Sequence, residues 1–300
     1  MLWLIVAISA YFFFALAFLG DKVVLSGSPK PKLYIFYIGI LNLLLLFLIP
    51  FAEFHFPSYQ TLVWIILEAI VYVIGLYTLF VAIEKFEVTR VTTVIGAIQP
   101  LLILLFTWLF FKGQIITNGN ILAFMLLFLG SILISVQRGF KVKTKSIMLI
   151  LLSALMFSLD YIFSKFVFLD LQFLEGLIWM RIFSFFLILL FLFSKDLRVD
   201  LTTKGNNLNK KTGVIFILTQ ASGGLATILQ NFAIYLAPVA YLALVNSLRG
   251  TQYVFVFIVT IFMSYFFPKV IKEDISKKVI LQKFFAILLI FIGLAILVNN

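Results

Sequence analysis

The feature that decides what this chain can fold into is the recurrence of apolar runs about twenty residues long, the length that crosses the hydrocarbon core of a bilayer. They occupy residues 2–25, 33–52, 62–83, 88–111, 119–136, 147–168, 174–193, 213–236, 239–267 and 281–298. In lipid a segment must satisfy its own backbone polar groups, so each run is expected to be a helix. Between them lie turn formers: Ser26-Gly27-Ser28-Pro29 with Pro31, Pro50 and Pro57, and Lys204-Gly205-Asn206-Asn207. At 64% hydrophobic and 12% charged residues, the chain lies far from a water-soluble domain, which is about half apolar and about a quarter charged. The first run lacks a basic flank before it and exceeds the apolar core of a signal peptide, so it reads as a retained span despite Ala15-Leu16-Ala17. The expectation is an all-α membrane protein with ten transmembrane helices and no separate soluble domain.

The net charge of +11 raises nucleic acid as a partner. The basic residues argue otherwise, because they are scattered through short loops rather than gathered on one arm. Odd-numbered loops hold most of them, including Lys30 and Lys32, Lys85 and Arg90, Arg138 to Lys145, Lys195 to Lys211, and Lys269 to Lys283; even-numbered loops hold only Lys112. Cytoplasmic loops carry such an excess of Lys and Arg. The chain is therefore expected to be multi-pass in the cell membrane, with basic loops cytoplasmic and both termini outside. With no Cys and a single His55, disulfides, thiolate chemistry and a Cys- or His-based metal site are not expected.

The two halves echo each other. Ser9-Ala10 returns as Ser153-Ala154, Ala82-Ile83 as Ala233-Ile234, and Ala123 with Gly130 as Ala286 with Gly293. Five spans per repeat is an odd number, so halves 1–140 and 141–300 are expected as two inverted five-helix repeats. Each half also has one span with a polar centre. Residues 82–111 carry Gly96, Gln99 and Pro100; residues 238–267 carry Asn246, Arg249 and Gln252. Paired, interrupted spans of this kind mark the binding site in repeat-built transporters.

These features together resemble the EamA-like family of the drug/metabolite transporter superfamily: the five-plus-five layout, the small-residue entry to the fourth span, Gln99-Pro100, the loop Phe111-Lys112-Gly113-Gln114, and the Gly130 and Gly293 spans. The resemblance covers nearly the whole chain. It implies a ten-helix secondary transporter whose central cavity is lined by spans three, four, eight and nine, moving amino acids, other metabolites, nucleotide sugars or toxic compounds. The chain departs from the family in two ways. Its charges place the termini outside, and Gln114 stands where the family has an acidic residue.

Charged residues within spans are functional candidates by default. At 1.5 Å per helical residue, Glu68 lies about 10 Å and Arg249 about 15 Å deep from the even-loop side, with Gln99 in the same layer. Glu68 and Arg249 are expected to face each other across the site, where an amphoteric, amino-acid-like substrate would bridge them. Tyr72 shares a face with Glu68, Tyr253 and Asn246 share one with Arg249, and Gln220 lies on a polar stripe of the eighth span. Expected substrate contacts are thus Glu68, Tyr72, Gln99, Gln220, Asn246, Arg249 and Tyr253. Asp160 and Arg181, joined through a short loop, are expected as a structural ion pair, and Lys165 is expected to snorkel to the surface. Because these five charges lie in the even-loop half, a polar vestibule is expected there, on the outer side. Trp3, Trp64, Trp108 and Trp179 fall where interfacial anchors do.

The expected function is secondary transport of a small organic metabolite, with no cofactor and with a proton as the candidate coupling ion through Glu68. No Gly-rich phosphate loop is present to use ATP. An integral membrane enzyme acting on lipid-linked substrates would need clustered acids or a paired nucleophile; these acids are dispersed. A non-transporting scaffold would tolerate loss of Glu68 and Arg249. The orientation has a direct test. A reporter active only in the cytoplasm should be silent when fused after Asn300 and active when inserted near Arg138; the opposite pattern would reverse the orientation.

Overall fold

A computed structural model describes residues 1–24, 31–85, 88–111, 118–135, 144–202, 210–266 and 277–299. The turn residues at 26–29, 112–114 and 204–207, the boundary between the halves at 140–141 and much of the basic loop sequence lie outside the described residues. Described secondary structure is helical throughout, with no strand: α1 (Leu2–Val24), α2 (Pro31–Asn42), α3 (Tyr59–Lys85), α4 (Val88–Phe110), α5 (Asn118–Ser135), α6 (Thr144–Asp170), α7 (Phe173–Leu189), α8 (Lys195–Thr202), α9 (Lys210–Leu236), α10 (Leu242–Ser247), α11 (Arg249–Phe266) and α12 (Lys277–Asn299). Among the described residues, eight helical stretches are long and apolar enough to cross a membrane; the apolar parts of α4 and α5, Val94–Phe110 and Asn118–Ile134, are shorter. Large side chains such as Phe47, Phe51, Phe186 and Phe193 stand exposed on the outside. That is the surface expected of a protein solvated by lipid.

Three elements depart from a plain ten-helix reading. The second run changes from α2 to a tighter 3₁₀ helix over Leu43–Phe51, which contains Pro50. The short amphipathic helix α8 follows the seventh run, seating Leu197 fully inside while Lys32 reaches Asp196 at 3.0 Å. The ninth run is broken: a 3₁₀ turn at Val239–Tyr241 leads into α10, which stops at Ser247 before α11 begins at Arg249. Hydroxyls answer carbonyls around the break. Tyr11 donates to the Val245 carbonyl at 3.0 Å, Ser247 to that of Leu244 at 2.8 Å, and Thr251 to that of Leu248 at 2.7 Å. Irregular backbone at membrane depth persists only where protein or a wet cavity supplies such partners.

Helices from the first half pack chiefly on helices from the second. α1 runs along α9, α3 along α6 and α5 along α12; α2 meets α7, α4 meets α6 and α10, and α11 meets α1. Small residues set the closest approaches. Gly20 of α1 sits against Thr219 of α9, and Gly75 of α3 lies under Phe157 and Met156 of α6. Ser153 adds a 3.2 Å hydrogen bond to the Gly75 carbonyl. The α5–α12 contact is reciprocal. A Cβ on Gly130 would stand 3.0 Å from the Ala286 carbonyl oxygen, and one on Gly293 would stand 3.2 Å from that of Ala123.

The tryptophans serve packing more than anchoring. Trp3 is buried against Tyr241, Trp64 stacks on Phe166 at 4.3 Å between ring centroids, and Trp179 stacks on Phe54. Trp108 is 55% exposed and fits the expected anchoring role.

The glycine contacts predict opposite outcomes for one kind of change. Gly130→Ala would bring its methyl within 2.7 Å of Ile290 and should destabilise by about 1–3 kcal/mol, as overpacking does. Gly224→Ala on α9 meets no atom within 4 Å and should be neutral or stabilise by up to about 1 kcal/mol through helix propensity. Thermal unfolding of the purified protein in detergent reads both; equal shifts would contradict the packing described.

Candidate functional site

Buried cations are the costliest groups in the molecule, and each is answered differently. Arg181 of α7 places Nη2 2.9 Å from Oε1 of Glu68 on α3. Glu68 is completely buried and Arg181 only 3% exposed. The guanidinium also lies 4.2 Å from the centroid of the Tyr72 ring. Asp160 of α6 interacts electrostatically with both Glu68 and Arg181, so α3, α6 and α7 meet in one charged knot. Glu68 neutralises the guanidinium, although Nε and Nη1 of Arg181 have no hydrogen-bond partner in the protein. The partner of Glu68 is therefore Arg181, not Arg249, and Arg181 takes Glu68 rather than Asp160 as its salt-bridge partner. Helical rise places residues in a layer but leaves the direction each helix faces open, and α3 turns this face to α6 and α7.

Lys165, near the end of α6, does not snorkel outward. Its ammonium donates to the Ile234, Tyr235 and Ala237 carbonyls at 3.0, 3.0 and 2.7 Å. These are the unpaired acceptors at the end of α9, where the helix dipole also favours a cation.

Arg249 is answered least. Its Nη1 donates to Oε1 of Gln99 at 2.9 Å, a neutral partner, and its buried Nε has no partner in the protein. It lines a cavity of about 190 Å³ formed by Phe14, Ala17, Phe18 and Asp21 of α1, Leu79 of α3, Thr92 and Ile95 of α4, Phe157 of α6, and Arg249, Gln252 and Tyr253 of α11. Gly96 makes the room: a Cβ there would stand 2.7 Å from the Tyr253 hydroxyl and 3.2 Å from Cδ of Arg249. Tyr253 donates to the Thr92 carbonyl at 3.1 Å, tying α11 to α4 beside the cavity.

The expected site residues thus separate. Arg249 and Tyr253 line the cavity and Gln99 holds Arg249 in place. Glu68 and Tyr72 belong to the Arg181 knot. Asn246 is fully buried on α10, with its carbonyl 3.4 Å from the Tyr11 hydroxyl. Gln220 donates to the Tyr34 hydroxyl at 2.6 Å, and that hydroxyl donates to Asp21, also at 2.6 Å. The cavity lies in the odd-loop half of the bundle, because its residues come from the end of α1, the end of α3 and the start of α4. The outer vestibule was expected in the other half, from charges of which Glu68 and Arg181 pair with each other.

Asp21 was missed by sequence reasoning. Its signal was helical phase: it stands three, four and seven residues after Phe18, Ala17 and Phe14, which all share one face.

The even-loop side is latched. Residues 52–58 lie across the turn between α6 and α7. Thr61 donates to Asp170 at 2.9 Å, the His55 backbone N–H donates to Glu175 at 3.0 Å, and the Trp179 indole donates to the His55 carbonyl at 3.0 Å.

The charged knot can be tested by a cycle. Glu68→Gln should destabilise by about 3–5 kcal/mol because it strands a buried guanidinium. Arg181→Gln should also destabilise, and Glu68→Gln combined with Arg181→Gln should lose less than the sum of the two single variants. Unfolding of the parent, both single variants and the double variant in detergent measures it, and additive losses would contradict a direct pair.

No protein family matches the sequence, and no curated protein matches it. Among solved structures, the chain is similar to one described only as a crystal structure of a protein, with a TM-score of 0.63 at 15% identity, over 96% of this chain and 95% of that one. At that identity the likeness shows the shared fold alone.

Proposed function

We propose that this protein is a secondary transporter of a small organic metabolite, built as two inverted five-helix repeats of the EamA-like kind and working by alternating access between them. The observation that carries the reading is the cavity around Arg249. It is lined by helices of both halves and holds a cation with no carboxylate partner. Arg181 has a carboxylate and Lys165 three carbonyls, whereas Arg249 has a single neutral amide oxygen, which leaves its charge available to a substrate.

The packing supports the inverted repeats. Exchanging α1 with α6, α3 with α9, α4 with α11 and α5 with α12 turns the α1–α9 contact into α6–α3, the α4–α6 contact into α11–α1, and α5–α12 into itself. The broken ninth span, with Arg249 opening α11, fits the interrupted helices that build substrate sites in such proteins. With basic loops cytoplasmic, the cavity belongs to the inward side while the latch of Thr61, His55, Glu175 and Trp179 closes the outer side. This is one state of an alternating cycle.

Counterflow of labelled metabolites in proteoliposomes, screened by chemical class and with and without a proton gradient, tests the proposal. Uptake of at least one class should occur and fall about tenfold or more in Arg249→Leu, the loss expected when about 1.4 kcal/mol of binding is removed. Gly96→Ala, which crowds Tyr253 and Arg249, should impair uptake in the same direction. Unchanged uptake in Arg249→Leu, or no uptake of any class, would overturn it.

A further inference from the structure

The cavity has a second pole. Asp21, near the end of α1, is a carboxylate lining the same space as Arg249. It accepts one hydrogen bond, from Tyr34. A guanidinium at one end and a carboxylate at the other, with no ion pair between them, form a site for a ligand carrying both charges. The spacing then decides which one.

Helix α1 sets the scale of the spacing. On α1, the Phe14 carbonyl lies 3.4 Å from Nε2 of Gln252, which fixes the level of the start of α11. Asp21 is seven residues further on, about 10 Å along the helix axis. Hydrogen bonds of about 2.9 Å at each end leave about 4–5 Å between the charged ends of the ligand. An α-amino acid holds its two charges closer than this. The walls between the poles are Phe14, Phe18 and Phe157 with Leu79 and Ile95, which favour a methylene stem, and phenyl faces also attract an ammonium. About 190 Å³ is the space of about six waters at about 30 Å³ each, enough for such a molecule.

We infer that the cavity takes an extended zwitterion, a carboxylate and an ammonium separated by about three methylenes, with the carboxylate on Arg249 and the ammonium on Asp21. This rests on the transport reading for its purpose but not for its test. The probes are glycine, 4-aminobutyrate, 5-aminopentanoate and 8-aminooctanoate, with butyrate and butylamine as single-charge controls, titrated calorimetrically into the full-length protein in detergent. One of the two middle zwitterions should bind about tenfold or more tighter than glycine, the longest zwitterion and either control. Asp21→Asn should reduce that affinity to the level of butyrate. Affinity that does not vary with chain length, or a zwitterion advantage that survives Asp21→Asn, would overturn the inference. The chain-length series on the unaltered protein decides the matter even if the variant misfolds. Counterflow with the same solutes separates the two proposals. Binding without flux of any solute would overturn transport and leave the site; flux of other solutes without binding of these zwitterions would overturn the site and leave transport.

Discussion

A positive charge below the membrane surface has no bulk water to stabilise it, so the protein around it must supply the counter-charge. Much of this structure follows from how three such charges are met. Arg181 is met by a carboxylate, and that pair fastens α3 to α7. Lys165 is met by the carbonyl end of α9. Arg249 is met only by the amide oxygen of Gln99, and there the protein leaves a hollow. The first two cations hold helices together. The third keeps a charge that no carboxylate neutralises, beside a cavity lined partly by aromatic side chains.

The same accounting explains the break in the ninth run. An interrupted helix in lipid exposes carbonyls, and each one left unpaired costs several kcal/mol. Tyr11, Ser247 and Thr251 supply hydroxyls close to the break, so the interruption is affordable. Its result is that Arg249 sits at the start of a new helix beside Gly96, with room to lie against α4. A continuous helix would place the same side chain by helical phase alone.

The helices were legible in the sequence because apolar length is a one-dimensional signal, and lipid enforces helix on each run that has it. Gly130 and Gly293 were legible as an echo, and the structure gives that echo a contact, each lying over the other helix's alanine carbonyl. The partner of Glu68 was not legible. Rise per residue assigned Glu68, Arg249 and Arg181 to similar depths, but which way α3 faces depends on its packing against α6, a contact between distant parts of the chain. Asp21 went unnoticed for the opposite reason. It stands beside a lysine near the end of an apolar run, where a carboxylate reads as ordinary loop chemistry. The break at Leu248 carries no proline and no sequence mark beyond the polar residues around it.

The lysine on α6 has a mechanical consequence. An ammonium presents its three protons around one point on a flexible stem, whereas a guanidinium presents its donors in a rigid plane. Three carbonyl oxygens grouped around Lys165 therefore share one pivot, the ammonium nitrogen, as the joint between α6 and α9. Arginine in that position would convert the joint into a fixed bracket, although the charge would be unchanged.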